Sequence, residues 1–199
     1  MAPTVVLVGQ IYATLAPVIF AGILNMVWVK LPLARGLARP IDGGRHAADG
    51  RRLLGENKTW KGLVGMIGLG ALCGLAWGLL IAGTPVEAFD LFYARQPNTP
   101  LFSAATGALQ GLAYGLFELP NSFLKRRVGV TPGKRHEGGW AVVFVILDQI
   151  DSVVGCALLV PFFAPVGVVF VLVATLVGGL THIVLNLLLF AVHLRKNPL

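Results

Sequence analysis

Long apolar runs separated by short polar stretches dominate the chain. A membrane-crossing helix needs roughly 20 apolar residues to span about 30 Å of hydrocarbon. Five runs qualify: Thr4 to Val29, Leu63 to Gly83, Leu101 to Leu119 between Pro100 and Pro120, a run ending at Phe163, and Val166 to about Phe190, with Leu194 as its far limit. The fourth run starts somewhere between Trp140 and Ile146. The pattern predicts an all-α, polytopic membrane protein with five transmembrane helices and a single integral domain over residues 1–199. The first run reads as a span and not as a leader peptide, because its apolar region is too long and no Lys or Arg precedes it. No internal repeat or low-complexity tract is present.

Composition agrees with that reading and removes its competitors. Hydrophobic residues make up 56% and charged residues 13%, with a mean hydropathy of +0.78. A water-facing surface needs far more charge, and disorder needs far less hydrophobicity. The net charge is +7. In a soluble chain that excess would point to nucleic acid; in an apolar one it points to topology and phosphate chemistry, with no nucleic-acid partner. Of 16 Lys and Arg residues, 15 lie in Lys30 to Lys61, in Asn121 to Gly139 or in the tail with Arg195 and Lys196; Arg95 is the exception. The positive-inside rule makes that side cytoplasmic, with the N-terminus outside and the C-terminus inside, in the cell membrane. Trp28, Trp60 and Trp140 fit an aromatic belt on the same side. Cys73 and Cys156 lie in apolar runs and read as buried hydrophobes, not as a disulfide framework or a zinc site.

Glycines recur every fourth position in two spans, at Gly70, Gly74 and Gly78 and at Gly107, Gly111 and Gly115. Such stripes let helices approach closely in lipid. Packing within one chain is the simpler expectation, and a dimer face the alternative.

The stretch PIDGGRHAADGRRLLGENKTWKG, from Pro40 to Gly62, is rich in Gly, Asp, Arg and Lys and has few residues for a core of its own. Gly43, Gly44, Gly50 and Gly55 permit positive φ and close approach of the backbone to a ligand. Arg51, Arg52, Lys58 and Lys61 offer donors for phosphate. Asn57 or Thr59 is placed to cap a helix beginning at Trp60, whose free N–H groups suit an anion. A solvated loop that only fixes topology is the plainer alternative. Asp42, Asp49, Glu56 and the ordered glycines favour a built site.

The second polar stretch runs NSFLKRRVGVTPGKRHEGGWAVVFVILDQID, from Asn121 to Asp151. Asp148 and Asp151 share one face of a helix at a spacing of three, with Ser152 next to them. Two like charges entering a membrane helix are costly and read as functional. Paired oxygen ligands suit magnesium. Ion pairing with loop arginines is the alternative, but it does not explain the shared face. A helix starting at Trp140 would carry Asp148 about 12 Å in, at 1.5 Å per residue. A start near Ile146 keeps both acids at the cytoplasmic mouth and leaves Trp140 to Leu147 interfacial or re-entrant, which is the preferred expectation. Glu118 either completes a metal or nucleotide site or pairs with Lys125. His182 and Asn186 read as interhelical hydrogen-bonders.

No GxxxxGK[ST] loop, zinc set or nucleophile with its base stands out. Phosphate donors beside a carboxylate pair fit phosphoryl or nucleotidyl transfer, which relies on positioning and charge neutralisation. The motifs carry a resemblance. Gly55-Glu56-Asn57-Lys58-Thr59-Trp60-Lys61-Gly62, preceded by Asp49-Gly50-Arg51-Arg52, resembles the loop signature of the CDP-archaeol synthase family. Ser122-Phe123-Leu124-Lys125-Arg126-Arg127-Val128-Gly129, then Pro132-Gly133-Lys134, then Leu147-Asp148-Gln149-Ile150-Asp151, resembles its second signature. Both are similar to phosphatidate cytidylyltransferase, with its Lys-Thr-Trp loop and S-x-x-K-R … D-R-x-D-S motif. The chain departs from the pattern in a longer link between Lys134 and Asp148, which includes His136-Glu137-Gly138-Gly139.

The resemblance implies a membrane cytidylyltransferase of phospholipid synthesis, with its site on loops 30–62 and 120–146. It would transfer CMP from CTP to a lipid phosphate monoester, archaeol-phosphate-like or phosphatidate, with release of pyrophosphate. It implies magnesium as cofactor, held by Asp148 and Asp151, and Lys58 with these two as the catalytic set. Arg51, Arg52 and Lys58 would bind the triphosphate, Asn57 and Thr59 would orient phosphates or base, and Ser122, Lys125 and Arg126 would hold the lipid phosphate or nucleotide. The partners implied are CTP, the lipid phosphate and the bilayer; no oligomeric state is implied. A CDP-alcohol phosphotransferase does not fit, because Asp49-Gly50-Arg51-Arg52 departs from D-G-x-x-A-R and the late pair is three apart. A lipid-phosphate transporter or a non-catalytic binder of anionic lipid is the remaining alternative. Polar residues clustered at one face favour the enzyme.

Overall fold

A computed structural model of the chain describes residues 3–131, 139 and 141–193. Among them no strand forms, and five long helices follow one another: α1 (Pro3–Trp28), α2 (Trp60–Ile81), α3 (Pro100–Arg127), α4 (Ala141–Leu159) and α5 (Val168–Ala191). A 3-10 turn, Val160–Phe162, continues α4. By length and composition α1, α2, α4 with its turn, and α5 can cross a membrane. α3 is long enough but less apolar, and Ser103, Thr106 and Gln110 are buried within the bundle. On α5, Leu172, Leu176, Leu180 and Val184 form a stripe at four-residue spacing, each between 55% and 66% exposed. Such a stripe is costly in water and natural against lipid.

The core joins α1, α2, α4 and α5 through Ile11, Leu15, Val18, Met66, Cys156, Val160, Phe170 and Ala174. α2 and α3 interlock through their glycines. A Cβ on Gly74 would run into the Ser103 carbonyl, one on Gly107 into the Gly70 carbonyl, and one on Gly111 into the Met66 carbonyl. The stripes therefore face each other within one chain. Pro17 lies inside α1, where its missing N–H breaks the helical ladder. Gln110 of α3 donates to the nearby Thr14 carbonyl at 2.7 Å, so a neighbouring helix helps satisfy that stretch of backbone.

Two boundaries differ from the expectation, and both matter for the site. α3 does not stop at Leu119 but runs through Pro120 for about two more turns, to Arg127. Proline's fixed φ is compatible with a helix, and what it forfeits is one hydrogen bond. Ser122, Lys125 and Arg126 are thus helical residues. α4 starts at Ala141, not near Ile146, so Ala141 to Leu147 form the helix's first turns and not a re-entrant stretch. Ala141 to Leu147 contains no Gly or Pro to interrupt a helix. Asp148 accordingly lies about 10 Å into α4. The two corrections compensate, because the extension of α3 carries its cations to the level of the α4 acids.

Candidate active site

The loop between α1 and α2 is folded back on itself. Ile41 N–H donates to Lys58 O at 2.8 Å and Trp60 N–H to Arg39 O at 3.1 Å, closing the loop at its base. Asp42 organises the interior. Its Oδ1 accepts from Arg52 Nη2 at 2.6 Å and Gly44 N at 3.0 Å, and its Oδ2 from Leu54 N at 3.1 Å and Gly55 N at 3.0 Å. Burial works to raise its pKa; the Arg52 guanidinium and three backbone N–H groups outweigh that and hold the carboxyl well below the usual range. Gly55 has φ +113°, open to glycine but strained for other residues, and this turn aims the next residues at α3. Thr59, not Asn57, caps α2, accepting from Gly62 N at 3.2 Å.

Arg127, at the end of α3, fastens this loop to the bundle. It pairs with Asp49, donates to the Arg51 and Arg52 carbonyls and stacks 4.9 Å from the Phe123 ring. Arg51 returns the contact by donating to Arg127 O. Backbone donation from Arg51, together with the Arg127 charge, lowers the Asp49 pKa. Lys61 is engaged at the other side: its ammonium donates to Val29 O at 3.2 Å and Leu31 O at 2.6 Å, at the carbonyl end of α1. Its charge closes the end of a helix.

The carboxylate pair is held by α3. Asn121 and Lys125, four apart, face α4 together. Asn121 Nδ2 donates to Asp148 Oδ1 at 2.6 Å and to Asp151 Oδ2 at 2.8 Å, while Lys125 pairs with Asp148. Asn121 Oδ1 is buried without a partner among the described residues. The two neighbouring carboxylates are oxygen donors of the kind a hard cation such as magnesium takes, with waters or phosphate oxygens completing its shell. No cluster of three or more His, Cys, Asp or Glu poised for a metal occurs among the described residues. Ser122 and Arg126 are also buried, and Arg126 Nε and Nη1 have no partner there.

Beside this cluster lies a cavity of about 430 Å³ between α1, the loop, α2 and α3. Asn57, Lys58, Thr59 and Glu118 line it. Glu118 pairs not with Lys125 but with Lys58, Nζ to Oε2 at 2.5 Å. Burial alone would lower the Lys58 pKa, and the Glu118 carboxylate, aided by Asp151 and Asp148, raises it instead. A second, apolar cavity of about 90 Å³ between α1, α4 and α5 shares the wall residues Gly22, Met26 and Tyr114. His182 and Asn186 line it; Asn186 donates to Gln149 Oε1 at 2.8 Å, and His182 Nδ1 lies 3.2 Å from Gln149 O. Both are interhelical hydrogen-bonders, as expected.

The structure thus brings Asn57, Lys58 and Thr59 to one cavity and Lys125, Asp148 and Asp151 to an adjoining cluster. Arg51 and Arg52 are not among the cavity's walls; their groups hold the loop together. Pro132, Gly133, Lys134, the link through Gly138, Trp140, Arg195 and Lys196 lie outside the described residues. Asn121 escaped the sequence reading, which named Asp42 only among the acids of the loop and not as its organiser. Asn121 could have been found as the residue four before Lys125, had the helix been carried through Pro120.

Set beside known proteins, the chain matches the family model described as CarS-like, CDP-archaeol synthase, over residues 7–198. It is 34% identical over 172 residues to a CDP-archaeol synthase of Methanosphaerula palustris, covering 82% of this chain and 91% of the relative. A CDP-archaeol synthase of Thermofilum pendens is 30% identical over 188 residues, with 94% and 74% covered. A solved structure described as an intramembrane enzyme for archaeal membrane lipids biosynthesis shares the fold at a TM-score of 0.60 and 23% identity, covering 88% of this chain and 91% of that one.

Proposed function

Since the chain belongs to the CDP-archaeol synthase family, we propose that it is an integral membrane cytidylyltransferase that passes CMP from CTP to a lipid phosphate monoester, with an archaeol-type diether favoured over phosphatidate. One observation carries the reading. Arg126 is only 8% exposed and two of its nitrogens are unpartnered among the described residues, one position from the Lys125 that grips Asp148. A buried guanidinium without a counter-ion calls for an anionic ligand.

In this reading the triphosphate enters the cavity lined by Asn57, Lys58 and Thr59. Lys58 faces its phosphates, and Asn57 and Thr59 orient them. Arg126 and Lys125 hold the lipid phosphate, with buried Ser122 one turn before Arg126. An oxygen of that monoester attacks the α-phosphorus of CTP; the bond from that phosphorus to the bridging oxygen breaks, and pyrophosphate leaves with the electron pair. Magnesium, when bound by Asp148 and Asp151, supplies charge neutralisation to the triphosphate. Arg51 and Arg52 keep the phosphate-facing loop in register. The apolar cavity beyond Tyr114 receives the lipid side, so the tails stay in the bilayer. We place all five helices across the cell membrane, N-terminus outside, as one domain whose site on residues 30–62 and 120–146 faces the cytoplasm. α3, the least apolar helix, is sheltered by the glycine contact with α2.

The test is CTP-dependent pyrophosphate release by the purified protein, given a diether phosphate or phosphatidate and titrated with magnesium. Release should require both substrates, and Asp148→Ala and Asp151→Ala should each lower it by on the order of 10²–10³-fold. Full activity in both variants would remove the metal assignment, and no release with either lipid would remove the function.

A further inference from the structure

Two lysines of the site are each held by a carboxylate in this structure: Lys58 by Glu118 and Lys125 by Asp148. The first pair is the informative one, because neither member is enclosed. The Lys58 and Glu118 side chains are 28% and 26% exposed, and both line the 430 Å³ cavity. An ammonium in that position is within reach of whatever occupies the cavity, and so is the anion bound to it. Glu118 also lies within electrostatic reach of Asp151, and Lys58 of both Asp148 and Asp151. The cavity pair and the aspartate pair therefore share one field.

Resting on the cytidylyltransferase reading, we propose that Glu118 is a positioning residue that occupies Lys58 as a built-in counter-ion, and that a phosphate of the incoming nucleotide exchanges with it. A triphosphate brings several negative charges to an ammonium that already carries one carboxylate at 2.5 Å. Both anions cannot be neutralised by one lysine, so Glu118 competes with the nucleotide as long as nothing else offsets its charge. A divalent cation on Asp148 and Asp151 does offset it, and it also loosens the hold of Asp148 on Lys125. Nucleotide and cation then bind with positive coupling, each tightening the other by the same factor. Without the cation free nucleotide binds weakly, and both lysines become available to phosphate when the two arrive together.

The measurement is CTP binding to the detergent-solubilised full chain by calorimetry, first in EDTA and then with magnesium. Glu118→Gln, which keeps the shape and removes the charge, should bind metal-free CTP about tenfold more tightly, about 1.4 kcal/mol. It should lose a similar factor of the tightening that magnesium gives the wild type. Glu118→Asp, shorter by one methylene, keeps the charge but grips Lys58 less well, and should tighten metal-free binding by about two- to threefold. In a Lys58→Gln background the Glu118→Gln effect should vanish. Unchanged or weaker metal-free binding in folded Glu118→Gln overturns the proposal, as does an effect that persists without Lys58. If Glu118→Gln fails to stay folded, Glu118→Asp decides by the same criterion. A wild-type chain that binds no CTP even with magnesium overturns the parent function and the exchange with it. Binding without the expected tightening overturns the exchange alone.

Discussion

Asn121 holds two carboxylates with one amide group, donating at 2.6 Å to Asp148 and 2.8 Å to Asp151. Asp148 and Asp151 stand three apart on one helix and repel each other. With Lys125 engaged on Asp148 alone, Asn121 keeps Asp151 turned toward its neighbour. Removing the amide leaves the two acids free to diverge. Asn121→Ala should therefore raise the magnesium concentration needed for half-maximal pyrophosphate release and lower turnover by about 10- to 100-fold, the usual cost of losing a group that orients metal ligands. A variant that folds normally, melts like the wild type and keeps its magnesium requirement would show that Lys125 alone sets the pair.

At the scale of elements, α3 decides the molecule. Its first half packs through Gly107 and Gly111 on α2, and its last two turns carry Asn121, Ser122, Lys125, Arg126 and Arg127 to α4 and the first loop. The glycine spacing was legible in the sequence, because close helix contact leaves a four-residue signature. The carboxylate face was legible as well, because a spacing of three has one meaning on a helix. The length of α3 was not, since Pro120 reads locally as a boundary and only packing keeps the helix going past it. The start of α4 was misplaced for a related reason: Ala141 to Leu147 is apolar throughout, so hydropathy has no edge there. Lys61 looked like the other loop cations because no local signal reveals that its partners are carbonyls at the end of another helix. The glycine contact yields a paired prediction. Gly74→Ala pushes a methyl against the Ser103 carbonyl and should cost about 1–3 kcal/mol. Gly68→Ala, on the same helix with nothing within 4 Å, should be neutral or stabilising by up to about 1 kcal/mol. Melting both variants in one detergent checks the contrast, and equal shifts would contradict the interlocked face.

Across the whole molecule, the two ends handle charge in opposite ways. At the end with the site, acids are matched by cations and backbone donors. Asp42 is the clearest case, its pKa held far below the ordinary 3.8. A depressed carboxyl stabilises the fold above pH 4, and that contribution is lost as the pH falls below about 4. At the other end, Asp90 precedes the short turn Leu91–Tyr93, accepting from Phe92 N at 3.1 Å and from Trp77 Nε1 at 3.2 Å. It is 3% exposed, and no cation pairs with it among the described residues. Burial pushes its pKa up to about 7 from an ordinary 3.8, against the pull of its two hydrogen bonds. The folded state therefore prefers the protonated acid. The stability from this group is complete below about pH 4 and declines as the pH rises to 7, by at most about 4 kcal/mol. Asp90→Asn does not titrate, but its single carbonyl oxygen accepts less well than a carboxyl facing two N–H donors. The wild type should thus melt above Asp90→Asn at pH 4, and the gap should shrink steadily, or reverse, by pH 8. Subtracting the two melting curves cancels Asp42 and every other shared group, so a gap independent of pH would mean that Asp90 stays ionised in the fold. In the proposed topology this end faces outside, so external acid strengthens the far end of the bundle while Asp42 keeps its charge at cytoplasmic pH.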